Sequence, residues 1–191
     1  MPESAPRVVF DCNLFLQGIA NRNSPARRAL RLFFDGAILL FISEPIIREL
    51  RDVLNRSEVR RRLPGIHDRI VNAFLTKLDA QAILIANVPE EFHYERDPDD
   101  EMYLNLAIVV NATYLVSRDQ DLLDLMTTAT DIAQRFRSRY PFLRVMNAKD
   151  FIVTIELASA PSDATCDSPA PPLNCLLGGR SMAEPLQTLK L

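Results

Sequence analysis

Short apolar runs alternate along this chain with longer stretches in which apolar residues recur every three or four positions. The short runs are residues 7–11 (RVVFD), 37–42 (AILLFI), 82–86 (AILIA), 113–117 (TYLVS) and 143–147 (LRVMN). Each has the length and the apolar content of a buried strand. Between the first two, Ser24-Pro25 supplies an N-cap and a first-turn proline for a helix through ARRALRLFF, which Gly36 ends. Ser43 caps the next helix, where Ile46, Ile47, Leu50, Val53 and Leu54 recur at helical spacing. A Pro64-Gly65 break precedes an amphipathic stretch over 66–80. Asp97-Pro98 opens a helix to about Ala112, short helical pieces follow Asp119, and AKDFIVTIEL closes the series. Helices alternating with strands that are apolar throughout predict an α/β fold: three layers, α/β/α, around a central, mainly parallel sheet covered on both faces.

From about Ala158 the periodicity stops and Ser, Pro, Ala and Gly dominate. The expected organisation is therefore one domain over 1–157 and a disordered or weakly ordered tail over 158–191. With 48% hydrophobic and 25% charged residues, the composition is that of an ordinary soluble globular protein. No apolar run is long enough to cross a bilayer, and the first residues lack the apolar region of a signal peptide. Three cysteines without CxxC spacing suggest neither a disulfide framework nor a zinc site, so a reducing cytoplasm is the expected setting. A net charge of −3 argues against coating nucleic acid through bulk electrostatics. Local basic patches remain: Arg56, Arg60, Arg61 and Arg62, and separately Arg135, Arg137 and Arg139. Each reads equally well as a solvated helix face.

Candidate chemistry lies in the acids. Ligands of open parallel sheets bind at the carboxyl ends of the strands. Asp11 ends the first run, and Asp119 sits two residues past TYLVS. A charge at the end of a buried strand is costly unless it is paired or holds a metal, although Asp11 can also cap the helix after it. Glu49 lies at the rim of the stripe formed by Ile46, Leu50 and Val53, whereas Glu44, Arg48, Arg51 and Asp52 fall on the outer side. In Asp97-Pro98-Asp99-Asp100-Glu101, capping and the helix dipole explain most of the acidity. Asp100 differs, because it stands one turn before Leu104 and two before Ala107, on a packed face. Asp97 is cap or support, and Asp119 and Asp121 begin another short helix.

Several carboxylates without His or Cys favour Mg²⁺ or Mn²⁺ over zinc. His67 and His93 have no ligand spacing and are expected at the surface. Such an ion activates a water and stabilises charge developing on a phosphate.

The segments VVFDCNLF, ISEPIIRELRDVL, RDPDDEMYLNLAIVVNATYLVSRDQDLL and MNAKDF, in this order over roughly 7–152, resemble the PIN domain. The branch they look like is that of the toxin components of bacterial toxin–antitoxin systems. The resemblance implies a PIN-like fold with catalytic, metal-holding acids at Asp11, Glu49, Asp100 and Asp119. Asp97 and Asp121 would be auxiliary metal ligands, and Asn13 and Ser117 the small polar groups beside the first and last acids. Ser117 stands where many relatives have Thr, which keeps the hydroxyl. The implied activity is Mg²⁺- or Mn²⁺-dependent hydrolysis of RNA phosphodiester bonds by an activated water, leaving a 3′-hydroxyl and a 5′-phosphate. The implied partners are an RNA substrate and a cognate antitoxin protein, without a membrane. Homodimerisation is common in that family, and the helices over 43–80 could serve it. Arg56, Arg60, Arg61 and Arg62 are the candidate RNA contacts.

Two rival readings share parts of this pattern. A phosphotransferase of the haloacid-dehalogenase type needs a second Asp two residues after the first, and that position is Asn13. A PIN-like module that binds RNA or a partner without useful turnover would keep the same fold and the same acids.

Overall fold

The computed structural model describes residues 5–63 and 65–159. Five strands form one sheet: β1 (Arg7–Phe10), β2 (Leu39–Ser43), β3 (Ile83–Ile85), β4 (Tyr114–Val116) and β5 (Arg144–Met146). Every neighbouring pair is parallel, in the order β3-β2-β1-β4-β5. The chain leaves β1 toward β2 and β3 on one side and returns to place β4 and β5 on the other. The order therefore reverses between β1 and β4, and the crevice of such a sheet opens at the carboxyl ends of those two strands.

Among the described residues, α1 (Cys12–Ala20), α2 (Pro25–Phe34), α3 (Glu44–Asn55), α4 (Ser57–Arg62), α5 (Asp68–Gln81), α6 (Glu101–Val109), α7 (Gln120–Thr127), α8 (Asp131–Arg139) and α9 (Ala148–Ser159) surround the sheet. Their starts follow local chemistry. The Ser24 hydroxyl accepts from the Arg27 amide with Pro25 in the first turn of α2, and Gly36, at φ 76, ends that helix in a conformation that costs other residues more. The expected helix from Asp97 is two pieces, a 3₁₀ turn (Pro98–Asp100) and then α6. From Tyr103 to Ile108 every residue of α6 is buried, so it is an interior helix rather than an amphipathic one. Val8, Val9, Leu40, Leu115 and Val116 are almost wholly removed from water.

One strand departs from the expected picture. AILIA forms the short β3, but at the sheet edge, with Ile83 39% and Leu84 52% exposed. An apolar run cannot distinguish a central strand from an edge strand, because position in the sheet is a tertiary property. Of the expected tail, residues 158–159 belong to α9 and the remainder lies outside the described residues. Among the described residues no helix is long and apolar enough to cross a membrane.

A carboxylate cleft at the strand ends

Asp11 is the pivot of the site. It follows β1 directly and is only 3% exposed. One carboxylate oxygen accepts from the Leu14 amide at 2.6 Å and caps α1; the other accepts from the Ser117 hydroxyl at 2.5 Å. The cap reading holds, and it occupies only one of the two carboxylate oxygens. The same Ser117 oxygen accepts from the Asp119 amide at 2.8 Å, so a hydroxyl just past β4 ties the first acid to the last. Asp119 caps α7 through the Asp121 amide at 2.9 Å.

The other acids approach from the helices. Glu49 is half-buried on α3 beside Ile46, Leu50 and Val53, while Arg51 and Asp52 face water. It accepts from the Tyr103 hydroxyl, and that oxygen in turn accepts from the Cys12 amide at 3.2 Å. Asp97 caps the 3₁₀ turn through the Asp99 amide at 3.0 Å. Asp100 follows, and its Oδ2 is buried without a hydrogen-bond partner. A cleft of about 190 Å³ is lined by Asp11, Asn13, Glu49, Arg56, Asp100 and Tyr103 among others. A larger cavity, about 1230 Å³, opens between the 92–96 segment and α8, away from the clustered acids.

Burial, and then the charges of Asp97, Asp119, Asp11 and Asp121, push the Asp100 carboxyl up to about 7. Burial raises Asp11 to about 6 against the lowering bonds from Ser117, Leu14 and Arg118, with Asp119 adding to the rise. The Cys12 thiol is pushed up to about 12, by burial and then by Glu49 and Asp11. Among the described residues no three His, Cys, Asp or Glu side chains form a preassembled group that could hold a metal ion. The donor set nevertheless fits a hard cation: all carboxylate oxygen, mutually repelling, with one buried oxygen unpartnered.

A pH dependence follows. Asp11 and Asp100 have raised values in the fold, so folding takes up protons above the ordinary carboxyl value of 3.8. Their contribution to stability is complete below about pH 4 and is lost as pH rises through about 6 and 7. In EDTA, the melting temperature followed by circular dichroism is therefore expected to decline from pH 5 to pH 8, and Asp100→Asn should flatten that decline. An unchanged slope in this variant would contradict the crowding of the acids.

The remaining candidates separate. Asp121 pairs with Arg96 at 2.5 Å, Arg96 also pairs with Asp124 at 2.9 Å, and the Tyr94 hydroxyl donates to the Asp121 carbonyl at 2.7 Å; neither Asp119 nor Asp121 lines the cleft itself. Asn13 is exposed on the cleft wall. In the basic patch only Arg56 lines the cleft. Arg60 is spent on structure, donating to the Leu54 and Ile66 carbonyls, Asn55 and Asp68; Arg62 pairs with Glu58, and Arg61 points to water. His67 and His93 are exposed, as expected. Tyr103 went unread, although it stands three residues after Asp100 and so on the same helical side. Arg96 carried no local signal.

A family model described as PIN domain matches residues 7–121, which include Asp11, Glu49, Asp100 and Asp119. An uncharacterized protein of Methanocaldococcus jannaschii is 28% identical over 150 residues, covering 78% of this chain and 92% of that protein. Among solved structures, the crystal structure of VapBC2 from Rickettsia felis bound to a DNA fragment from their promoter matches with a TM-score of 0.46 and 16% identity. That match covers 74% of this chain and 98% of the other.

Proposed function

The chain belongs to the PIN domain family, and on that premise we propose that it is a metal-dependent ribonuclease, the toxin component of a toxin–antitoxin pair. The observation that carries the catalytic part is the convergence of Asp11, Asp100 and Asp119, with the charges of Asp11 and Asp119 both bearing on Asp100, around a buried and unpartnered Asp100 oxygen. Asp11, Glu49, Asp100 and Asp119 would hold Mg²⁺ or Mn²⁺, with Asp97 in reach; Asp121 would need Arg96 to let go. Bound there, the ion supplies an activated water and neutralises charge on the phosphate. The chain's own part is positional. Ser117 orients Asp11 and Asp119 together, Tyr103 orients Glu49, and the strand ends of β1 and β4 hold them at one opening. The antitoxin partner rests on the resemblance of the quoted segments alone.

The test is cleavage of a structured RNA in Mn²⁺ or Mg²⁺ and in EDTA, with wild type and Asp11→Asn. Loss of cleavage in both EDTA and the variant supports the reading. RNA binding without cleavage by wild type would instead support the non-catalytic module. Purification with the product of an adjacent gene for a small DNA-binding protein, followed by loss of cleavage in the complex, tests the antitoxin.

Tyr103→Phe offers a finer test. The variant keeps the ring, buried among apolar neighbours, and removes only the hydroxyl that donates to Glu49. Partners that orient ligands are worth about ten- to a hundredfold in metal affinity or activity. A fall of about tenfold in kcat, measured well below the melting temperature, is the expected result, together with a loss of about 1–3 kcal/mol of stability from the Cys12 amide left without its acceptor.

A further inference from the structure

A cleft walled by carboxylates repels the polyanion it would cut, so cations must flank it. Six of the eighteen arginines among the described residues, Arg28, Arg51, Arg60, Arg62, Arg96 and Arg139, sit in ion pairs. Arg118 and Lys149 do not. Both are exposed and make no ion pair among the described residues.

They also share a place. A cavity of about 140 Å³ is lined by Gln17, Ser117, Arg118, Asn147 and Lys149, with apolar walls from Leu14 and Pro25. It opens where β4 and β5 end, on the β4–β5 side of the acids. Its wall includes Ser117, the residue whose hydroxyl holds Asp11, and the Arg118 amide bonds to Asp11 as well. Ser117 lines the cavity and Asp11 the carboxylate cleft, so their hydrogen bond links the two. The nearest acid on α9, Asp150, is occupied by Asn147 at 2.8 Å. The Gln17 amide and two cations without ion pairs, around a small hollow, make an anion receptor beside the acids.

We propose that this cavity binds a phosphodiester group of the RNA strand next to the bond that is cut, with Arg118 and Lys149 as its cationic walls. The proposal rests on the ribonuclease reading for its substrate. The strand then crosses the acids toward Arg56, which lines the cleft from the α3 side. Arg118 and Lys149 bind and orient; they touch no reacting atom.

Binding and turnover are measured separately. A fluorescein-labelled single-stranded RNA is titrated by anisotropy into the non-cleaving Asp11→Asn protein in EDTA, with Arg118→Ala and Lys149→Glu added singly. Affinity is expected to fall about tenfold in each, and the salt dependence to become shallower by about 0.7 per lost phosphate contact. In the otherwise wild-type protein with Mn²⁺, Lys149→Glu should raise KM for RNA about tenfold, with a much smaller change in kcat. Unaltered RNA affinity in Lys149→Glu overturns the proposal. So does a loss confined to Arg135→Glu with Arg139→Glu, which would run the strand along α8 instead. If wild type fails to cleave RNA while Lys149→Glu still loses binding, the ribonuclease reading fails and the phosphate site stands.

Discussion

Asp11→Asn is expected to cut RNA cleavage by about 10³-fold while making the metal-free protein more stable at pH 8. A metal contributes several kcal/mol of charge stabilisation in the transition state, and each 1.36 kcal/mol is tenfold in rate. A ligand at the centre of the group therefore stands to forfeit about three powers of ten. The stability change has the opposite sign. Asp11 is almost fully buried and its charge is penalised by that burial and by Asp119. An amide keeps an oxygen for the Leu14 cap and carries no charge to desolvate. Steady-state cleavage and thermal melts in EDTA check both halves. A variant as active as wild type would remove Asp11 from the chemistry; one that is inactive but also much less stable would make the loss structural.

Asn105→Ala should be among the most destabilising single changes, at about 2–4 kcal/mol. Asn105 is 3% exposed in the middle of α6. Its side-chain oxygen accepts from the amides of Glu91 at 2.8 Å and Phe92 at 2.7 Å, and its nitrogen donates to the Phe92 carbonyl at 3.2 Å. Removing it strands three backbone groups, and each unsatisfied group costs about 1–3 kcal/mol when buried and less when water reaches it. The consequence reaches the site, because this clamp anchors the segment that carries Tyr94, Arg96 and Asp97. Urea denaturation and amide hydrogen exchange over 91–97 measure the two effects. Fast exchange confined to that segment, with little global loss, would place the residue's role in the loop alone.

Particular residues show what was legible beforehand. The five strands, the Ser24-Pro25 cap, the Gly36 stop and the Asp97-Pro98 turn depend on periodicity and on hydrogen bonds a few residues long, and all are visible in a linear reading. Asp11 and Asp119 could be placed because strand ends in a parallel sheet share one opening. Glu49 could be placed because a helical stripe has a rim. The identification of the family, too, came from ordered segments rather than from any one acid.

What the tertiary structure alone decided are pairings across long separations. Glu49 meets Tyr103 only because α3 and α6 pack together. Asp121 is taken by Arg96 through a contact that no spacing announces. AILIA became an exposed edge because an apolar run records affinity for a sheet and not its place within one. Sequence by itself determined the local elements and nominated the acids, since those follow from short-range sterics, capping and burial periodicity. The order of the strands then determined which acids meet and which cations stay uncommitted, because electrostatic neighbours are set by distance in space.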